Sequence, residues 1–158
     1  MNEPEIKKIL EDQRAFFASG QTLAVEYRIQ ALQRLQKAIK QHERQIHDAL
    51  RQDLGKSKFE SYMCEVGLTC SEISYMLKHV KRYAAERPVL TPLAQFAAKS
   101  YTKPVPYGVT LIMSPWNYPF MLTMEPLVNA LAAGNTAVLK PSAYSPHTSA
   151  VIQELIAE

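Results

Sequence analysis

Residues 109–140 read VTLIMSPWNYPFMLTMEPLVNALAAGNTAVLK, and the fold class follows from this stretch. Val109 to Met113 is a short β-branched apolar run with Gly108 before it and Pro115 after it, the pattern of a buried strand. Phe120 to Ala133, Thr136 to Leu139 and His147 to Ala157 then read as helix, strand and helix. Strand, helix, strand, helix implies a parallel pair with a right-handed crossover, the opening of an α/β sheet that binds its ligand at the carboxyl ends of its strands. Two strands and two helices cannot cover both faces of a parallel sheet. Residues 109–158 are therefore expected to be the first half of an open parallel α/β cofactor-binding unit, and its strands to be left partly uncovered.

Upstream the texture is different. Pro4 sits where a first helical turn tolerates it, and Ile6, Ile9, Leu10 and Phe17 keep helical spacing until Gly20. Thr22 can cap a second helix whose apolar positions, from Val25 through Ile39 and Ile46 to Leu50, run without a break to Gly55. Ser57 and Glu60 have capping-box spacing, and the stripe from Tyr62, Met63, Val66 and Cys70 to Val80 and Tyr83 predicts a third helix that stops at Arg87-Pro88. Pro88, Pro92, Pro104 and Pro106 break any helix after that, while Ser100 to Val105 alternates as an edge strand would. The expected organisation is a helical layer over 1–87, a linker with an edge strand over 88–108, and the α/β unit over 109–158.

Composition sets the class of partner. The 158 residues are 47% hydrophobic and 21% charged, enough for one ordinary core. The net charge is +3, with 18 basic residues interleaved among 15 acidic ones, so no like-charge block marks a nucleic-acid or membrane arm. No stretch of about 18 apolar residues occurs and the start has no apolar signal core, which leads to a cytoplasmic expectation. Cys64 and Cys70 fall within one expected helix, about 9 Å apart in rise, too far for an easy disulfide. Cys70 lies on the apolar stripe and Cys64 borders it, so both read as core thiols. His42, His47, His79 and His147 have no metal-ligand spacing and read as surface or boundary residues; no metal site is expected.

The chemistry-bearing residues cluster in two loops. Ser114-Pro115-Trp116-Asn117-Tyr118-Pro119 follows the first expected strand, and Lys140-Pro141-Ser142-Ala143-Tyr144-Ser145-Pro146 follows the second. Both leave strand carboxyl ends and can converge on one crevice. An isolated loop asparagine is commonly a turn residue bonding its own backbone, and an isolated lysine at a strand end is commonly solvated. No Gly-x-Gly-x-x-Gly is present, so the usual phosphate-binding turn is missing.

The motifs SPWNYPF at 114–120 and PLVNALAAGNTAVLKPS at 126–142 together resemble the aldehyde dehydrogenase superfamily, and looser similarity extends back through the helices. Tyr118 and the early start resemble its branch acting on fatty and aromatic aldehydes. The resemblance implies an incomplete aldehyde dehydrogenase fold and, in a full-length enzyme, oxidation of an aldehyde to a carboxylic acid with NAD or NADP. Such an enzyme is expected to be a homo-oligomer, its edge strands helping subunits pair. Asn117 matches the family's oxyanion-holding asparagine. Ile112, Met113, Ser114, Pro115, Trp116, Lys140 and Ser142 match its cofactor contacts, with Lys140 reaching the adenosine ribose or its phosphate. Ala143 stands where many NAD-preferring members carry a glutamate that bonds the ribose hydroxyls. Its alanine removes both that bond and the repulsion of a 2′-phosphate.

The family's nucleophilic cysteine and its glutamate lie downstream of any segment here, so the isolated chain is expected to be inactive. Two alternatives stand beside this reading. One is a non-catalytic interaction or oligomerisation module built on the helices and edge strands. The other is an acyl-phosphate or thioester reductase relative, which need not share Asn117.

Overall fold

Asn2 starts the first helix with a reciprocal cap: its Oδ1 accepts the Glu5 amide at 3.0 Å, and the Glu5 carboxylate accepts the Asn2 amide at 2.8 Å. The computed structural model describes residues 2–157. Helix α1 spans Glu3–Ala18 and runs against the parallel strands; among its residues none is fully buried. Gly20 then takes φ +77 and the chain enters a tight turn.

The single helix expected over 22–54 is two helices, α2 (Val25–Gln41) and α3 (Glu43–Leu54), separated at His42, whose φ −94 and ψ 6 leave the helical region. The periodicity is continuous because Ile39 and Ile46 are both fully buried. A straight helix of that length would be about 50 Å long and would overshoot the core. The bend lets α2 lie on the central helices while α3 packs on the last one. Thr22 does not cap α2: it is buried in the preceding turn, its hydroxyl has no partner, and Ala24 precedes the helix without a side-chain cap. Arg28 instead reaches back to the carbonyls of Thr22 at 2.8 Å and Leu23 at 3.0 Å.

The third expected helix is also interrupted. A short α4 (Lys58–Ser61) leads into a π-helical turn at Tyr62–Val66, followed by α5 (Gly67–Ala84). Ser57 caps the Glu60 amide at 3.1 Å, which is one half of the expected capping box. In the π turn the Gly67 amide bonds back five residues to the Tyr62 carbonyl. The wider turn shifts the helical phase, so Tyr62 and Met63 are exposed while Glu65, outside the expected apolar stripe, is fully buried.

Beyond α5, strand β1 (Arg87–Val89) pairs antiparallel with β2 (Ser100–Thr102). Arg87-Pro88 thus both ends the helix and begins a strand, at an edge where proline's missing amide is tolerated. The expected edge strand at 100–105 ends at Thr102, ahead of Pro104 and Pro106.

Strands β3 (Val109–Met113) and β4 (Thr136–Lys140) are parallel, with Val109 opposite Thr136 and Met113 opposite Lys140. Helix α6 (Met121–Ala133) makes the crossover, and α7 (Pro146–Ile156) follows. The core joins Leu32 and Ile39 of α2, Ile46 and Leu50 of α3, Ile73 and Val80 of α5, Ile112, Phe120, Met124 and Val128, and Ile152. Strand β3 is not buried on both faces: Ile112 is in the core, but Leu111 is 63% and Met113 71% exposed. Val109, Val138 and Leu139 are half-buried. His47, expected at the surface or a boundary, is buried, with the Glu43 carboxylate 3.5 Å from its Nε2 without hydrogen-bond geometry.

Gly134 (φ +86) ends α6 and faces the Arg28 side chain, so that a Cβ there would lie 2.7 Å from the guanidinium carbon. Arg28 cannot simply swing away, because three backbone carbonyls hold it. Gly55 (φ +68) ends α3 with nothing within 4 Å of such a Cβ. Gly55→Ala should therefore cost only the left-handed backbone term, about 1–2 kcal/mol. Gly134→Ala should cost at least about 1 kcal/mol more, since it also strips bonds from a buried charge. Urea denaturation of both variants checks the ranking; equal losses would show that Arg28 is free to move.

Candidate functional site

Strands β3 and β4 end together, and the Ser114 amide extends their ladder by donating to the Lys140 carbonyl at 3.3 Å. Loops 114–120 and 141–145 therefore leave one sheet end side by side, as the sequence predicted. The first loop is internally locked. Thr123 donates its hydroxyl proton to the Pro119 carbonyl at 2.6 Å, which leaves Ser114 Oγ as the donor in the 2.6 Å contact with Thr123 Oγ1.

Asn117 is exposed on this loop, and among the described residues its carboxamide makes no hydrogen bond. It is thus not a turn residue bonding its own backbone, and its N–H groups are available to a ligand. Its backbone carbonyl, by contrast, is held: Lys56 Nζ donates to it at 3.2 Å. Trp116 (53% exposed), Met113, Pro115, Lys140 and Ala143 present side chains to solvent around the strand ends. Ile112, Ser114 and Ser142 are buried. The Ser142 hydroxyl accepts the Tyr144 amide at 3.2 Å, and its carbonyl accepts the Ser149 hydroxyl at 3.0 Å, which closes the second loop onto α7. The nine candidate residues thus divide into an exposed shelf and a buried frame behind it.

Lys56 and Glu65 were not singled out by the sequence. Glu65 is fully buried; one carboxylate oxygen accepts Lys56 Nζ at 2.5 Å, and the other accepts the amides of Phe120 at 2.8 Å and Met121 at 3.2 Å. Lys56 Nζ also lies 4.1 Å from the centre of the Tyr118 ring. The one signal in the sequence was a glutamate next to Val66 in an apolar stripe, which an uninterrupted helix would have turned outward. Asp53 does a related job at α7, accepting the amides of His147 at 3.2 Å and Thr148 at 2.7 Å and the Thr148 hydroxyl at 2.7 Å.

These two carboxylates have a chemical consequence. A helix N-terminus following a parallel strand is a ready anion site, but at α6 Glu65 fills that position and at α7 Asp53 does. A cofactor phosphate is not accommodated at either. Met113, Trp116 and Lys140 remain exposed beside the strand ends. A separate groove of about 560 Å³, lined by Phe16, Tyr27, Arg34, Leu131 and Ala137, lies toward the start of β4 and away from these loops. Among the described residues no His, Cys, Asp or Glu group could hold a metal, and no helix is long and apolar enough to cross a membrane.

A helical layer packed on a parallel βαβα unit, with a polar loop at each strand's carboxyl end, is the beginning of an open α/β fold, a class that binds ligands in the crevice at the strands' carboxyl ends. The chain belongs to the aldehyde dehydrogenase family, whose model matches residues 1–158. It is 47% identical over 147 residues to 4,4'-diaponeurosporen-aldehyde dehydrogenase of Staphylococcus aureus, covering 93% of this chain and 32% of that protein. It is 40% identical over 153 residues to the dimeric NADP-preferring aldehyde dehydrogenase of Canis lupus familiaris, covering 96% and 34%. A substrate-bound structure of Staphylococcus aureus AldH matches 99% of this chain and 34% of its own at TM-score 0.94 and 45% identity. A Streptococcus pyogenes succinic semialdehyde dehydrogenase in complex with NADP+ shares the fold at TM-score 0.86 and 21% identity, over 99% of this chain and 34% of its own. The chain spans about a third of the length of these relatives, matching the N-terminal part of the aldehyde dehydrogenase fold.

Cys64 and Cys70 are free and half-buried, so the expected core placement holds only in part. Burial pushes the Cys70 thiol above its ordinary value of 9.0. A raised thiol pKa leaves less thiolate at neutral pH, so the alkylation rate of Cys70 should still be rising past pH 9. Site-resolved mass spectrometry after iodoacetamide pulses checks this; a plateau below pH 9 would contradict it.

Proposed function

We propose that these residues serve an NAD(P)-dependent oxidation of an aldehyde to a carboxylic acid, carried out by a full-length enzyme of which they form the first third. The observation that supports this reading best is Asn117: a carboxamide with no protein partner, on a loop whose backbone is held from behind, at the carboxyl end of a parallel strand. An amide N–H fixed there can donate to an aldehyde oxygen as that oxygen gains negative charge. A prearranged donor in a dry site adds no reorganisation cost at the moment of reaction.

In this reading Met113, Pro115, Trp116, Lys140 and Ala143 touch the cofactor through their side chains, while Ile112, Ser114 and Ser142 shape the shelf and offer backbone groups. Lys140 supplies positive charge to the adenosine ribose or its phosphate. The bound nicotinamide supplies a hydride acceptor. In this reading the attacking thiolate and the base for hydrolysis come from elsewhere in the full-length enzyme, since neither Cys64 nor Cys70 lies in a segment matching the family's nucleophile motif. The division into residues 1–87, 88–108 and 109–158 remains our proposal for the functional units, with 88–108 as the subunit-pairing arm. The similarity to a 4,4'-diaponeurosporen-aldehyde dehydrogenase and to a dimeric NADP-preferring aldehyde dehydrogenase supports an apolar aldehyde and a homo-oligomer. The exposed Leu90, Leu93, Phe96 and Tyr101 of that arm give the second reading, an oligomerisation surface, a place within the first.

Two measurements on a full-length enzyme carrying these residues test the proposal. Asn117→Ala should lower kcat by about 10²–10³ while leaving cofactor affinity within about twofold; unchanged turnover with weakened cofactor would make Asn117 a binding residue. Ala143→Glu should weaken NADP binding about tenfold more than NAD binding, because a carboxylate there meets the 2′-phosphate. Equal losses for both cofactors would place the adenosine elsewhere.

A further inference from the structure

We propose that Lys56 and Glu65 are positioning residues for Asn117, fixing the loop that presents its carboxamide; this rests on the oxyanion role given to Asn117 above. The pair grips four nearby backbone or ring groups at once. Lys56 holds the Asn117 carbonyl at 3.2 Å and sits 4.1 Å from the Tyr118 ring centre. Glu65 holds the amides of Phe120 and Met121 at 2.8 and 3.2 Å. The two side chains close the arrangement on each other at 2.5 Å.

The geometry assigns more to this pair than a helix cap. Capping α6 needs only the carboxylate, and an ion pair is in general often matched in stability by apolar side chains of similar volume, although here the two amides would then lose their acceptor. What apolar side chains cannot do is fix the direction of a carbonyl. Holding the Asn117 carbonyl and the next ring from one ammonium sets the rotation of the Asn117 backbone, and with it the line along which its side chain leaves. The π turn is part of the device. It brings Glu65 to the inner face, and Gly67 allows the turn because a Cβ there would lie 2.8 Å from the Tyr62 carbonyl oxygen.

The test is a double-mutant cycle in an enzyme that joins residues 1–158 to the remaining two thirds of the Staphylococcus aureus relative. Glu65→Gln and Lys56→Met should each lower kcat about 10- to 100-fold with cofactor affinity within about twofold, the scale expected for misplacing a reacting group by about 1 Å. In the Asn117→Ala background the same changes should lower kcat less than about twofold further, since they act through Asn117. Multiplicative losses in that background would overturn the proposal and leave a structural pair. If Asn117→Ala itself spares turnover, the oxyanion reading fails first and is distinguished from failure of the positioning role. Trp116, the only tryptophan in the chain, gives a readout independent of turnover. Glu65→Gln in the 158-residue chain should at least double acrylamide quenching of its emission at unchanged far-UV circular dichroism. Unchanged quenching would count against the proposal.

Discussion

The Glu65 carboxylate is the interaction on which the rest of this structure depends. It is fully buried, and three donors surround it: an ammonium from the α3–α4 connection and two amides from the first turn of α6. A carboxylate taken out of water needs such partners, and removing one of a buried pair typically costs about 3–5 kcal/mol. The helical layer is thus tied to the α/β unit at the point where the SPWNYPF loop turns into α6.

The same principle recurs at the other helix ends. Asp53 of α3 holds the first amides of α7, and Arg28 of α2 donates to the Ala132 carbonyl at 3.4 Å near the end of α6. Carboxylates meet helix N-termini and a guanidinium meets a C-terminus, the arrangement that helix dipoles favour. Burial pushes the Arg28 pKa down from its ordinary value. Helix α6 is therefore held at both ends by charges from residues 1–87. Filling both helix N-termini with protein carboxylates also gives a physical reason for the absence of a glycine-rich phosphate turn. No phosphate has to approach those amides, so no glycine is needed to let it in.

The open side of the molecule obeys a different constraint. Leu111 and Met113 alternate with Ile112 along β3, so one face of the strand packs on the core and the other is exposed. A parallel strand is ordinarily covered on both faces.

Much of this was legible in the residues themselves. The apolar runs at 109–113 and 136–139 and the long apolar segment between them specify strand, helix and strand, because burial periodicity is a local property. The loops at the strand ends put Asn117 and Lys140 at one end of the sheet, but what marked them among loop residues was the resemblance of their motifs to the aldehyde dehydrogenase family. Tertiary structure alone decided where the long helices break, since Ile39 and Ile46 satisfy one continuous period whether or not the chain bends at His42. It also decided which charges go inside. Arg28 carries no sequence mark that separates it from solvated neighbours, and Glu65 carries only its place beside Val66 in an apolar stripe. They are buried because the partners that make a buried charge tolerable lie at hand: Lys56 and the Phe120 and Met121 amides for Glu65, once the π turn carries it inward, and the carbonyls of Thr22, Leu23 and Ala132 for Arg28.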